Sequence, residues 1–158
     1  MEHITSRKNE TVRRAAALLR SQARRKSGAF LCEGARLCAD AADSGLEIRQ
    51  AFYTPEAAEK YAPYLARLLP RARETFLVEP PVAALLADTR ASQGVYCVCA
   101  LPPSAQGSAA SFAAQPAAGA CVALERIQDP SNLGTILRTA EALGVCRVLL
   151  CGEGCDPF

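Results

Sequence analysis

An α/β fold is expected for this chain, and two observations point to it. Short apolar runs alternate with stretches whose apolar residues recur every three or four positions, which is the strand–helix alternation of α/β proteins. Residues 120–150, ACVALERIQDPSNLGTILRTAEALGVCRVLL, then compress strand, loop, helix and strand into one short segment. With 50% hydrophobic and 22% charged residues in 158, the composition is that of a globular chain.

Taken in order, Asn9 is a good N-cap for a helix whose buried stripe is Val12, Ala15, Ala16, Leu19 and Ala23, with arginines on the other face. The string SGAFLCEG reads as a strand ending at Gly34. Residues 35–44 read as a helix stopped by Gly45, 48–53 as a strand, and 55–69 as a helix broken by Pro70. A strand at 75–78, a short helix at 81–86 and a strand at 94–100 complete the alternation. Residues 102–119, PPSAQGSAASFAAQPAAG, carry no charge and no period, as a flexible interdomain linker would. The expected organisation is therefore a domain at 1–101, the linker at 102–119 and a second segment at 120–158.

In that second segment 121–124 is a strand, Asp129 caps a helix and Pro130 takes its first position, where a missing N–H is harmless. Leu133, Ile136, Leu137, Ala140 and Leu143 form one apolar stripe, Gly144 stops the helix, and 147–150 is the next strand. Gly134, Arg138 and Glu141 fall on the opposite side. Gly134 stands one turn before Arg138 and leaves room for a substrate to reach the guanidinium. Asn132 lies in the first turn, beside backbone N–H groups that favour an anion.

Charge is distributed unevenly. The first 26 residues hold Arg7, Lys8, Arg13, Arg14, Arg20, Arg24, Arg25 and Lys26 against Glu2 and Glu10, so this part carries +6 and the remainder −4 of a net +2. Such asymmetry implies a polyanionic partner. No apolar run approaches the ~18 residues of a spanning helix and no signal-peptide core opens the chain, so the expectation is a cytoplasmic protein without a membrane partner. The eight cysteines include no CxxC pair and read as buried, reduced thiols. Cys151 and Cys155 have the only loosely metal-like spacing, and no metal is expected. Gly152-Glu153-Gly154 is not a dinucleotide fingerprint, because Pro157 occupies the place of the third glycine.

DPSNLGTILRTAEALG, residues 129–144, resembles the first motif of the SpoU (TrmH-type) RNA ribose methyltransferases of the knotted SPOUT class. The family's Asn, the Gly two later and the Arg four beyond it fall on Asn132, Gly134 and Arg138. The match departs at Ser131, where family members often carry Gly. ITSRKNETVRRAAALL, FLCEGARLCADA and GVYCVCALP resemble the substrate-binding domain that precedes the catalytic domain in many of these enzymes, a small α/β unit similar to certain RNA-binding ribosomal proteins.

The resemblance implies a small α/β RNA substrate-binding domain followed by the first β-α-β segment of a SPOUT trefoil-knot domain. It implies methyl transfer from S-adenosylmethionine to a ribose 2′-hydroxyl of structured RNA, rRNA or tRNA. Arg138 and Asn132 would be the catalytic residues, with Gly134, Glu141, Arg13, Arg14, Arg24, Arg25 and Lys26 on the substrate. A guanidinium is a poor general base, so Arg138 is expected to bind the adjacent phosphate and order the hydroxyl, with Glu141 orienting it. The family holds S-adenosylmethionine through two later motifs that these residues do not contain. The chain is therefore expected to be a fragment, inactive alone, that dimerises when full length. The competing readings are a non-catalytic RNA-binding protein and a generic nucleotide-binding α/β domain.

Overall fold

The computed structural model describes residues 2–102 and 119–157. The chain divides into two compact units, Met1–Pro102 and Pro103–Phe158. The linker assigned to 102–119 falls almost entirely outside the described residues.

In the first unit the strands β1 (Glu2–Ile4), β2 (Ala29–Glu33), β3 (Ile48–Tyr53), β4 (Ala72–Val78) and β5 (Val95–Ala100) form one sheet in the order β1-β4-β3-β5-β2. β1, β4 and β3 run parallel, and β5 is antiparallel to both of its neighbours. Five of the six residues of β5 are buried, and they alternate between two cores. Val95, Cys97 and Cys99 enter the core under α3 (Ala35–Asp43), α4 (Pro55–Lys60) and α5 (Ala62–Leu68). Tyr96 and Val98 enter the core with Val12, Ala15 and Leu18 of the amino-terminal helical segment. A register irregularity between Ile48 and Gln50 turns both Ile48 and Ala51 toward the first core, while Phe52 faces the second and stacks on its parallel partner Phe76, ring centroids 5.0 Å apart.

Several local expectations are corrected. The single basic helix is two helices, α1 (Glu10–Ala17) and α2 (Ser21–Ser27), separated by tight turns at Leu18, Leu19 and Arg20. Leu18 is buried instead of Leu19, which is 39% exposed. The helix over 55–69 breaks at Tyr61, because Pro63 has no N–H for the preceding turn and instead starts α5. β1 was not expected from its three residues; it pairs with β4, which begins at Ala72 and not at residue 75. The last helix of this unit, α6, is the single turn Pro80–Ala83.

Glu33, at the end of β2, fastens the far side of the sheet. Its carboxylate accepts from the N–H of Asp88 at 2.8 Å, the N–H of Thr89 at 3.2 Å and the Thr89 hydroxyl at 2.6 Å. Gln93 reaches back to accept from the Ala35 N–H at 2.8 Å. Gly94 needs φ +68°, and a Cβ there would lie 2.6 Å from the Thr54 hydroxyl oxygen, so no other residue fits this crossing.

In the second unit β6 (Cys121–Glu125) and β7 (Arg147–Cys151) pair in parallel around α7 (Pro130–Ala142). Asp129 caps α7 by accepting from the Ser131 N–H at 2.8 Å, and Gly144 at φ +70° ends it. The apolar stripe is only partly covered: Leu133 and Ala140 are buried, Ile136 and Leu137 are half-buried, and Leu143 is 76% exposed.

Burial alone would raise the Glu33 carboxyl, but hydrogen bonds from Thr89, the Asp88 N–H and Ser92 outweigh it and hold the carboxyl below its ordinary 4.5. A carboxyl depressed in the folded state contributes its full stability above the ordinary value and loses it as pH falls through the lowered one. Glu33→Gln should therefore lower the urea midpoint at neutral pH and shrink its drop between pH about 5 and about 3. An unchanged acid limb in the variant would contradict this role.

Candidate functional site

The break between α1 and α2 decides where the basic side chains go. A continuous helix would spread them along one face. The turns at residues 18–20 instead fold Arg20 back beside α1, and Arg7, Lys8, Arg13 and Arg20 line one cleft of about 500 Å³ floored by Ala16, Ala17 and Leu85. Among the described residues none of these four cations has an acidic partner. Their charge is uncompensated across an open surface, an arrangement that attracts anions.

Arg14 enters a different cleft, of about 540 Å³, with Arg49, Gln50, Arg73 and Glu74. Its arginines are compensated. Arg14 pairs with Glu10 at 3.0 Å, while Arg49 and Arg73 reach Glu47 at 3.6 and 3.1 Å. Arg24 is half-buried and donates from Nη1 to the carbonyls of Leu18 and Leu19, both at 3.0 Å, so it closes the end of α1. Arg25 and Lys26 are exposed in the last turn of α2. The five basic residues singled out in sequence are thus not brought together: Arg13 joins the uncompensated cleft, Arg14 the compensated one, and Arg24 a helix end. Arg7, Lys8 and Arg20 complete the uncompensated cleft, and only their membership of the basic run hinted at them.

In the second unit the carboxyl ends of β6 and β7 are laced together. The Arg126 N–H donates to Cys151 O at 3.0 Å, the Cys155 N–H to Ile127 O at 2.8 Å, and Gln128 Nε2 to Glu153 O at 2.9 Å. Gly152, at φ +73°, turns the chain, and a Cβ at Gly154 would come within 2.7 Å of the Ile127 carbonyl oxygen. These glycines serve backbone approach at the carboxyl ends of the two strands.

On α7, Arg138 folds back toward the amino end. Its Nη2 donates to the Thr135 hydroxyl at 3.1 Å, and its Nη1 lies 3.5 Å from where a Gly134 Cβ would be. Thr135 in turn donates to the Ser131 carbonyl at 2.9 Å. Glu141 is exposed one turn further on, and the recorded hydrogen bond of Arg138 goes to Thr135 rather than to it. Asn132 is exposed in the first turn, roughly 120° around the helix from Arg138 at ~100° per residue. Thr135 escaped the sequence reading because a threonine inside a helix carries no signal by itself.

The cysteines behave in two ways. Cys32, Cys38, Cys97 and Cys99 are buried, as expected. Cys121 and Cys146 are exposed and Cys151 and Cys155 half-buried, because β6 and β7 are only partly covered.

A five-stranded α/β domain with an uncompensated basic cleft, followed in sequence by a parallel β-α-β unit carrying an arginine over a glycine, defines a two-unit α/β protein with an anion-attracting first unit. Residues 9–97 match the MRM3-like substrate binding domain. The chain belongs to that family and, through it, to the SpoU (TrmH-type) methyltransferases of the SPOUT class. An uncharacterized tRNA/rRNA methyltransferase of Synechocystis is 32% identical over 98% of this chain and 54% of its own length. The 23S rRNA (guanosine(2553)-2′-O)-methyltransferase RlmP of Bacillus subtilis is 25% identical over all of this chain and 58% of its own. The AdoMet-bound rRNA methyltransferase of Sinorhizobium meliloti superposes with TM-score 0.77 at 29% identity, over 99% of this chain and 57% of that one. The chain thus spans a little more than half the length of these relatives.

If Arg24 closes α1, Arg24→Ala should destabilise the first unit by about 1–3 kcal/mol, the scale for hydrogen bonds from a charged donor. Arg20→Ala should change the denaturation midpoint little. Equal effects of the two substitutions would show that the helix end does not depend on Arg24.

Proposed function

We propose that this chain supplies the RNA-binding domain and the opening catalytic segment of an S-adenosylmethionine-dependent RNA 2′-O-ribose methyltransferase acting on structured rRNA or tRNA in the cytoplasm. Residues 1–101 hold the RNA, 102–119 join the two parts, and 120–158 begin the methyltransferase domain. We propose that the complete enzyme works as a homodimer. The observation that carries the catalytic part is the guanidinium of Arg138, aimed by Thr135 across the bare surface of Gly134.

Methyl transfer would form a bond between the 2′-oxygen and the methyl carbon as the carbon–sulfur bond of the sulfonium broke to leave a neutral thioether, with the hydroxyl proton passing to solvent water. Arg138 is permanently cationic, so its part is to grip the neighbouring phosphate with its planar fork and fix the ribose in line. Gly134 leaves room for that phosphate, since a Cβ there would stand 3.5 Å from Nη1, in contact with the guanidinium. Asn132 meets the substrate from the first turn, where unpaired backbone N–H groups also face anions. Glu141 restrains Arg138 from one turn away when substrate draws the guanidinium off Thr135. S-adenosylmethionine would supply the electrophilic methyl group. We assign no residue of this chain to it, and we propose that residues 1–158 alone bind RNA without transferring methyl groups.

In the first unit Arg7, Lys8, Arg13 and Arg20 bind phosphates, with Arg25 and Lys26 extending the path along α2. Arg14 and Arg24 are engaged elsewhere and contribute less. Replacing Arg7, Lys8, Arg13 or Arg20 by Gln should each weaken binding of structured RNA and reduce the slope of log affinity against log salt by about 0.7–0.9. Arg14→Gln should leave that slope nearly unchanged. A slope insensitive to all four cleft substitutions would remove the cleft from the RNA path.

Tritiated methyl transfer tests the catalytic part, with these residues carried in the complete enzyme. Arg138→Ala should lower turnover by about 100-fold or more, the scale for losing one preorganised charged group, with folding retained. Full turnover would assign Arg138 no part in the chemistry and favour a purely RNA-binding role for this chain.

A further inference from the structure

Under α3, apart from every residue assigned to RNA, three cysteines converge in the core. Cys32 of β2 stands opposite Cys97 of β5 in the antiparallel ladder, and Cys99, two residues along β5, shares the same face. The Cys97 and Cys99 sulfurs are 3.6 Å apart, those of Cys32 and Cys99 3.9 Å, and all three lie within 4.8 Å of one another. Cys32 is 6% exposed and the other two 0%. With the third side between these contact distances and 4.8 Å, such a triangle has a point roughly 2.1–2.4 Å from every sulfur, which brackets the zinc–thiolate bond of about 2.3 Å. No backbone shift is needed to place three ligands around one centre.

Cys38 of α3 lies at the edge of the cluster, fully buried, its thiol directed at the carbonyls of Cys32 and Val95 at 3.6 and 3.9 Å. Three thiolates crowded into this core require a cation to compensate their charge.

We propose that Cys32, Cys97 and Cys99 bind one thiophilic d¹⁰ metal ion, with zinc(II) preferred and Cys38 available as a fourth ligand. Soft thiolates select zinc(II) or copper(I) over magnesium and calcium. Three thiolates leave one residual negative charge around a divalent ion and two around a monovalent one, and the smaller charge is easier to bury. Each ligating sulfur forms a bond to the metal and releases its proton to water, with no change in oxidation state. The site joins β2 to β5, so the ion would clamp the outer strand of the sheet.

The test uses the whole 158-residue chain, reduced and stripped of metal, then equilibrated with zinc(II) or, anaerobically, with copper(I). One zinc should survive desalting per chain, its uptake should acidify a weakly buffered solution, and cadmium(II) in its place should give the sulfur-to-metal charge-transfer absorption of at least three thiolates. Cys99→Ala should weaken binding by about 100-fold or more, since a lost ligand exceeds the 10–100-fold typical of outer-shell losses, whereas Cys121→Ser should not. Retention of copper(I) but not zinc(II) would keep the site and overturn the preference for zinc. Because a core variant can fail to fold, alkylation of the wild-type cysteines is followed in parallel by mass spectrometry. Zinc should slow the labelling of Cys32, Cys97 and Cys99 selectively. Metal retention no greater than that of the Cys32→Ala, Cys97→Ala, Cys99→Ala triple variant, or labelling rates indifferent to both metals, would overturn the proposal.

Discussion

Burial of β5 on both faces is the constraint from which the first unit follows. A strand covered on one side only can carry polar residues on the other, but Val95, Tyr96, Cys97, Val98 and Cys99 leave no polar face. Each side of the sheet must then be roofed by helices: α3, α4 and α5 on one, α1 and α6 on the other. Cysteine at two of these positions keeps the first core shallow enough for α3 to lie close, and this is also why sulfur is concentrated there. Tyr96 is the one residue of β5 with a polar atom to satisfy, and its hydroxyl lies 2.6 Å from that of Ser92.

The roof of α1 sets the basic surface. Val12, Ala15 and Leu18 must reach the sheet, and extending the helix beyond Leu18 would carry the chain off the core. The chain turns instead, and Arg24 fastens the turn by bonding the carbonyls exposed there. The same turn delivers Arg20 to the cleft of Arg7, Lys8 and Arg13. Packing and charge are therefore linked: a residue that looks like one more phosphate contact is the fastener that lets the others converge.

What could be read in advance follows a physical divide. β3 was legible to its last residue because its apolar run lies between a glycine turn and a proline helix start, and α7 because Asp129, Pro130 and Gly144 mark its ends. Strong local signals overrode context there. The break at Tyr61 was missed although Pro63 announced it, since the apolar period continues through both helices. On α7 the juxtaposition of Gly134 and Arg138 followed from their four-residue spacing, whereas the bond from Arg138 to Thr135 and the cleft of Arg7, Lys8, Arg13 and Arg20 did not. Which of the eight basic residues converge, and which, like Arg14 beside Glu10, are neutralised, depends on tertiary placement that no period encodes.

The central claim is that the uncompensated cleft, and not the acid-paired one, receives RNA. Photo-crosslinking of a 4-thiouridine-substituted structured RNA to the chain, followed by peptide mapping, addresses it most directly. The account predicts crosslinks concentrated in peptides carrying Arg7, Lys8, Arg13 and Arg20. Crosslinks centred on Arg49 and Arg73, or spread evenly over both clefts, would contradict it.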